Sequence, residues 1–560
     1  MSPASKVKRN GISKKPKNRP IEGVAGRREK RFMLRRHFLA GVSATAIAPL
    51  AMPRLARAQG EGVLRFVPFV DLSLLDPVAT TATPTRNHAF LVFDTLYGLD
   101  SNFQPQPQMV EGHAVEDDGR RWLLTLRDGL RFHDGSTVTA KDCVASIKRW
   151  ASRDSFGQAL MVATDELSAR DDRTIVFRLN KPFPLLPAAL AKASPSMCAI
   201  MPERLALTDA AKQVTEMVGS GPFRFLEKEH MAGARAAYAR FDGYVPRQGG
   251  TPGGTAGPKV AHFERIDWIT MPDVSAASSA LQAGEVDWWE TPSPDLAPML
   301  KRDRNLRVEV KDRQGLTPIL RFNCIQPPFD NVALRRAVLA AVDQAEFMQA
   351  YSSDPETWNV KLGMFCPGTP MANDAGLEKL FGKTNIEAAR KAVKESGYKG
   401  EKVAFMLPMD HPVSAPIGQV GIDLFKRIGL NVDVQAVDSG TLFQRRNSRE
   451  PVEKGGWSVF PSMVSGLNIL DPAVTSVARG NGLKGWYGWP ESPEGERLRD
   501  AWLEERDPAR QKALAEQIQA QAWQDATFIP TGQIFQPMAW RRSIDGVLDG
   551  FVKFWNVRRV

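Results

Sequence analysis

Histidine is scarce in this chain, and its scarcity removes most metal chemistry. The seven histidines (His37, His88, His113, His133, His230, His262 and His411) contain no pair three or four residues apart. No helical turn therefore offers two imidazoles to one zinc or iron. Cysteine is scarcer still. Cys143, Cys198, Cys324 and Cys366 stand far apart with no C-x-x-C, and a body this large does not depend on a disulfide framework. Cys143 and Cys324 lie in apolar runs and read as small buried hydrophobes; one bridge among the four stays open at this point. Nucleotide motifs are missing too. Gly219-Ser220-Gly221 lacks the third glycine of a dinucleotide fingerprint, and no G-x-x-x-x-G-K-[ST] occurs. Outside the first 58 residues there is no G-x-S-x-G and no S-D-N or K-T-G companion of a serine hydrolase. The residues give no ground for a cofactor, a metal or a catalytic centre, so the expectation is a protein that binds without catalysing.

Beyond residue 60 no run of 18 apolar residues occurs, too little for a helix through ~30 Å of hydrocarbon. Positive charge on the body is absent as well, although the whole chain carries a formal +11. Residues 1–58 hold 15 of the 74 basic and two of the 63 acidic side chains, which leaves 59 against 61 for the remainder. The basicity belongs to the leader, and a nucleic-acid partner, which would need a basic face on the body, is excluded.

The leader has three parts in order. A cationic stretch ends in Arg35-Arg36-His37-Phe38-Leu39, a weakly apolar run reaches Met52, and Ala56-Arg57-Ala58 supplies a small-x-small cleavage pattern. Fifteen residues that include a proline are too short for a permanent membrane anchor. Arg35, Arg36, Phe38 and Leu39 resemble a twin-arginine export signal, with cleavage after Ala58 and delivery to the periplasm. Residues 1–32 have little to bury and are expected to be disordered; Met33 offers an alternative start.

At 560 residues the body should divide into two or three lobes. Early segments read as β. In RRWLLTLRDGLRFHDGS, Trp122, Leu124 and Leu126 alternate, Asp128-Gly129 breaks the run, and Leu130 and Phe132 resume it, which predicts a hairpin. Thr139 and Asp142 form a capping box for a helix to Trp150, and Ile175, Phe177 and Leu179 predict another strand. The later half reads as helix–Gly–strand. Leu334, Ala337, Val338, Ala341, Ala345 and Met348 follow one helical face, with Arg335, Arg336 and Gln344 turned away. A helix stopped by Gly397 precedes the strand around Val403–Leu407, and a helix from about 415 to 428 stopped by Gly429 precedes Val432–Ala436, the rhythm of a parallel sheet. A last helix containing Leu514 and Ile518 leads into FIPTGQIF, and the Gly/Pro-rich stretch 247–258 reads as a surface loop.

In sequence order, Leu75-Asp76-Pro77, FDTLYGLD from Phe93, WLLTLRDGLRFHDGSTVTAKDCVASIKRW, GSGPFRF from Gly219, LQAGEVD from Leu281, RFNCIQPPFDNVALRRAVLAAVD from Arg321, ESGYKG and the closing IPTGQ together resemble family 5 of the extracellular solute-binding proteins. That family includes dipeptide-, oligopeptide- and nickel-binding proteins of ABC importers. The resemblance covers nearly all of residues 62–560. It implies an α/β, two-lobed, clam-shell periplasmic-binding-protein fold with an additional inserted α+β domain. Residues 59–90, 218–312 and 529–560 would form domain I, 91–217 domain II and 313–528 domain III. It also implies capture of a peptide or similar small solute by a monomer that hands it to an ABC-importer membrane permease, after export by the twin-arginine machinery. The alternatives are a twin-arginine-exported periplasmic enzyme, or a binder of oligosaccharide or opine-type solutes.

Thirteen tryptophans suit such a binder, because flat, stiff rings line a cleft at little entropy cost. Trp288-Trp289 reads as core. Trp457 and the glycine-flanked Trp486 and Trp489 are expected to face the ligand, with Asn323 beside the crossover into domain III. By the resemblance, Asp471 would receive a ligand ammonium, and it reads equally as a helix N-cap before Pro472. Peptide binders of the family carry Gly-Asp-x-x-Asp-Pro there; GLNILDP from Gly466 lacks the first acid and is one residue longer, a departure from a simple dipeptide site.

Overall fold

Alternation of Leu64 and Phe66 with the outward-facing Arg65 makes Val63–Val67 a strand whose inner side chains are fully buried. In the computed structural model, which describes residues 62–380 and 385–560, this strand is the middle of a seven-stranded sheet. Its order is Leu306–Glu309, Met538–Arg541, Trp288–Trp289, Val63–Val67, Arg265–Ile269, Arg235–Arg240 and Phe223–Phe225. Phe66 packs within 5.4 Å of the rings of Trp268, Trp288 and Phe554, so Trp288-Trp289 is core, as its sequence reads. The export-signal residues Arg35, Arg36, Phe38, Leu39, Ala56 and Ala58 lie outside the described residues.

A second seven-stranded sheet runs Trp358–Asn359, Gln533–Ile534, Leu316–Phe322, Val459–Ser465, Lys402–Pro408 and Asn431–Val437, with Phe528–Pro530 also on Leu316–Phe322. Lys402–Pro408 and Asn431–Val437 pair in parallel along their whole length, joined by the helix Ser414–Arg427, the arrangement the helix–Gly–strand rhythm requires. The chain passes between the two large sheets at 310–315 and again at 535–537. Gly315 has φ +54°, and a Cβ there would overlap the Ile534 carbonyl oxygen; glycine lets the two crossovers lie against each other.

A third, four-stranded sheet orders Val110–Glu116, Arg121–Leu126, Thr174–Leu179 and Thr164–Ala169. Here the hairpin expectation is corrected. Both edges of Arg121–Leu126 are occupied by Val110–Glu116 and Thr174–Leu179, so Leu130 and Phe132 cannot pair with it. They turn inward, 5% and 1% exposed, and a single bridge joins Arg131 to Thr137. His133 in that turn links it to the GSGPF block: Gly219 N–H donates to Nδ1 (3.3 Å) and Nε2 lies 3.0 Å from Gly221 O. Burial holds its pKa down to about 4, so the ring is a neutral clasp. The capping box forms, with the Asp142 carboxylate accepting from Thr139 N–H (2.8 Å) and Thr139 Oγ1 (2.6 Å) at the head of Ala140–Ala151.

Two further readings change. The pattern from Leu334 to Met348 is two helices, Val332–Leu339 and Gln344–Tyr351, because Asp343 accepts from Ala345 N–H and starts a second one. Arg335 and Gln344 do not face away. Arg335 saturates the carbonyls of Phe329, Asp525 and Ala526, and Gln344 donates to Leu362 and Pro530, so both are buried polar staples. The loop 247–258 packs back through Thr255, which exchanges hydrogen bonds with the Leu99 backbone. All four cysteines are free thiols.

Candidate functional site

A cleft of about 430 Å3 opens where the two large sheets and the inserted sheet's helices approach, a volume suited to a small molecule. On the first-sheet side, the helix Thr83–Val92 presents Arg86, and the chain leaving Trp288–Trp289 presents Glu290. Glu290 is bound on both oxygens, by Phe69 N–H (2.7 Å) and Asn87 Nδ2 (2.9 Å), and burial raises its pKa. Asp312, on the first crossover, accepts from the N–H groups of Gln314 and Gly315; burial likewise pushes its carboxyl up. Gln536 of the second crossover completes the floor.

The inserted region contributes a built-in ion pair. Asp154 caps Ser155–Val162 by accepting from Phe156 and Gly157 N–H. Its other oxygen is held by Lys192, which also donates to Pro195 O (3.0 Å) and Ser196 O (3.2 Å). Both partners are 6% exposed, so neither is at liberty for a ligand without breaking the pair.

The opposite wall is the end of Val459–Ser465, the turn that follows it, and the segment around Trp486 and Tyr487. Arg321 holds that segment from behind. Fully buried, it donates to Tyr487 O (2.5 Å) and Val477 O (2.6 Å), and its guanidinium carbon lies 5.1 Å from the Trp486 ring centre. Burial lowers its pKa to about 10, still charged at neutral pH. Gly488, at φ +90°, allows the chain to pass so close to Phe322 that a Cβ would overlap its carbonyl oxygen. Arg446 ends the helix Ser439–Arg445, with its guanidinium 4.3 Å from the Tyr487 ring centre.

Of the five residues singled out in the sequence, Trp486 lines the cleft. Asn323 is fully buried, with Nδ2 donating to Trp457 O (2.9 Å) and Oδ1 accepting from Ile325 N–H. Trp457, also fully buried, donates to Ser448 O and packs on Phe460 and Trp489. Trp489, 4% exposed, belongs to the same cluster. Asp471 accepts from Ala473 and Val474 N–H (2.8 and 3.1 Å), but a turn and not a helix follows it, so it closes that turn and shapes the wall through Val474. The cleft does not gather these four. Arg86, Lys192, Glu290, Asp312 and Arg446 went unread because each comes from a different segment with no motif of its own; only Glu290, directly after the tryptophan doublet, had a nearby signal.

The lining is Ser, Thr, Asn and Gln interleaved with rings, charges and aliphatic side chains such as Leu316, Met463 and Val552, and no histidine is among it. Its hydroxyls have no imidazole base within the cleft. Among the described residues no group of three or more His, Cys, Asp or Glu converges as a metal site, and no helix is long and apolar enough to cross a membrane. The lining offers hydrogen bonding, ring stacking, apolar contact and charge.

Residues 104–481 match the sequence family described as bacterial extracellular solute-binding proteins, family 5. A probable peptide ABC transporter periplasmic-binding protein of Sinorhizobium fredii is 37% identical over 532 residues, spanning 93% of this chain and 98% of the relative. Two solved structures share the fold. The Helicobacter pylori ABC transporter-associated periplasmic binding protein DppA, in complex with the peptide STSA, has a TM-score of 0.75 at 18% identity, over 90% of this chain and 99% of that one. The binding protein AgaA from A. tumefaciens R10, in complex with agropinic acid, has a TM-score of 0.74 at 19% identity, over 89% and 99%. The family match and the 37% identity across nearly the whole chain decide it: the chain belongs to family 5 of the bacterial extracellular solute-binding proteins.

Proposed function

We propose that the chain is the exported, periplasmic substrate-binding component of an ABC importer and takes a peptide or similar small solute into the cleft. The observation that carries this is the cleft itself, set between two large sheets joined by two crossovers and lined by ring and hydrogen-bonding side chains. The naming of the Sinorhizobium fredii relative for peptide transport supports the solute class. Residues 59–90, 218–312 and 529–560 act as domain I, 91–217 as domain II and 313–528 as domain III. Domains I and III close about the crossovers. Solute drives that closure only through contacts it gains in the closed state, and the closed form docks on the permease. Trp486 touches solute, while Asn323, Trp457, Asp471 and Trp489 hold the wall behind it. The protein acts as a monomer.

Capture by the purified chain is read by calorimetric unfolding. A bound solute should raise the midpoint, by about 2.7 kcal/mol of stabilisation at a hundredfold excess over Kd. A wide screen of peptides, sugars and organic acids with no shift would overturn the reading. Export follows from the leader: the twin-arginine machinery carries the folded chain, and a peptidase cuts after Ala58. N-terminal sequencing of periplasmic protein should begin at Gln59; a start upstream would refute this.

A further inference from the structure

Among the described residues, most buried cations are answered in one of two ways. Some receive a carboxylate: Arg149 from Asp76 at 2.7 Å, Lys259 from Asp94 at 2.6 Å, and Lys192 from Asp154. Others donate to carbonyl oxygens: Arg335 to those of Phe329, Asp525 and Ala526, and Arg321 to two, with its Nη2 left unpartnered. Guanidinium groups lining the cleft are treated differently. Among the described residues Arg86, Arg153 and Arg446 have no carboxylate oxygen within 4.0 Å. Arg86 is 4% exposed and hydrogen-bonds only its neighbour Asn87 Oδ1, with its face on the Phe551 ring at 4.0 Å.

Arg446 is the sharpest case. Its neighbours are Tyr487, ring and hydroxyl, and the Phe443 ring, and its Nε is buried with no hydrogen-bond partner. A guanidinium with no carboxylate partner in a partly desolvated wall costs free energy that a ligand anion would recover. Two of the cleft's three acids, Asp154 and Glu290, are committed elsewhere. Asp154 serves Lys192, Glu290 is bound on both oxygens, and Asp312 takes two backbone N–H groups on one. Glu290 and Asp312 act on Arg86 only at longer range. The wall that carries Arg446, Trp486 and Tyr487 contributes no carboxylate to the cleft at all. On the same wall, Asn468 Oδ1 is buried and accepts nothing, a receptor for a ligand N–H or O–H.

We infer that the cleft is built for an acidic small solute, whose carboxylate is received by Arg446 beside Trp486 and Tyr487 and whose N–H or O–H meets Asn468. This rests on the cleft's being the solute site. An acidic peptide and a hydroxylated organic acid share this chemistry. Arg153, exposed at the rim of the inserted region, adds attraction for the incoming anion.

The test titrates four probes into the chain from Gln59 onward: Glu-Glu, gluconate, Ala-Ala and Lys-Lys. Glu-Glu or gluconate should bind at least about tenfold more tightly than Ala-Ala and Lys-Lys, and which of the two binds separates the peptide from the hydroxy-acid source. Arg446→Gln should abolish that preference with the ligand-free unfolding midpoint unchanged; Arg446→Lys should restore part of it, keeping the charge without the fork. Should the ligand-free protein unfold earlier in Arg446→Gln, the salt dependence of the parent's Glu-Glu and gluconate affinity decides instead. An affinity that does not weaken with salt overturns the inference. Tighter binding of Ala-Ala or Lys-Lys also overturns it and leaves the solute-binding reading standing. Binding of none of the four overturns it too, and the solute-binding reading is then judged on the wider screen alone.

Discussion

Asp76→Ala should lower the stability of the protein by about 3–5 kcal/mol, the cost of breaking a buried ion pair by removing one partner. Asp76 is fully buried and uses both oxygens. Oδ1 accepts from Val78 N–H (2.9 Å) and Arg149 Nη1 (3.2 Å), and Oδ2 accepts from Arg149 Nη2 (2.7 Å) and Val214 N–H (2.9 Å). One carboxylate thereby joins the segment after the first strand, the helix Ala140–Ala151 and the chain near 214. Its removal leaves a guanidinium whose side chain is 2% exposed with only the carbonyl oxygens of Thr208 and Lys212 and no counter-charge. Asp76→Asn should be nearly as costly, since an amide offers Arg149 one acceptor where the carboxylate offered two. The double change Asp76→Leu with Arg149→Met should recover part of the loss, because no charge is then left buried. Urea unfolding reads all three as shifts of midpoint. A loss below about 1 kcal/mol for Asp76→Ala would mean that the pair is solvated and does not tie these segments together.

Trp486→Ala should weaken solute binding by about 2 kcal/mol, roughly thirtyfold. The ring is a wedge between two apolar clusters, one around Ile319 and Phe528 and one around Trp457 and Phe460. It sits 5.3 Å from Tyr487 and 6.2 Å from Phe460 between ring centres. Arg321 fixes it from behind through Tyr487 O, so little rotamer freedom is left for a ligand to freeze. Trp486→Phe keeps a flat face and should lose less than half as much. Trp489→Ala, in contrast, removes a ring buried against Trp457 and should show mainly as lost stability. Calorimetric titration with a solute found by screening separates these effects once each variant's unfolding midpoint is known. Equal affinity for parent and Trp486→Ala would place the contact elsewhere in the cleft.

What the sequence made legible follows the physics of each signal. Local rules worked where the signal was local. The Thr139–Asp142 box caps its helix, Gly397 and Gly429 end theirs at positive φ, and period-two runs at Val403–Leu407 and Val432–Ala436 became parallel strands. Period alone failed where pairing is decided at long range. Leu130 and Phe132 alternate as a strand would, yet both edges of their intended partner were taken by segments before and after it. Charge was misread for a similar reason. Arg335 looks like a solvent-facing helix residue until the chain returns nearly two hundred residues later with the carbonyls it saturates. The site was the least legible part. Of the glycine-flanked tryptophans Trp486 faces the cleft, but glycine freedom exposes backbone as readily as rings, and Trp489 turned inward at φ +46°. Arg86, Glu290, Asp312 and Arg446 converge from four remote segments, and no spacing rule links them.

That a small solute binds between the two large sheets is tested most directly by amide hydrogen exchange of the chain from Gln59 with and without a solute that raises the unfolding midpoint. Protection should rise in the segments around Arg86, Glu290 and Asp312 on one side and around Ser462–Asn468 and Trp486–Tyr487 on the other, the residues that line the cleft. The exposed face of Asn431–Val437 and the loop 247–258 should exchange as before. Protection confined to those outer segments, with none at the cleft walls, would contradict the account.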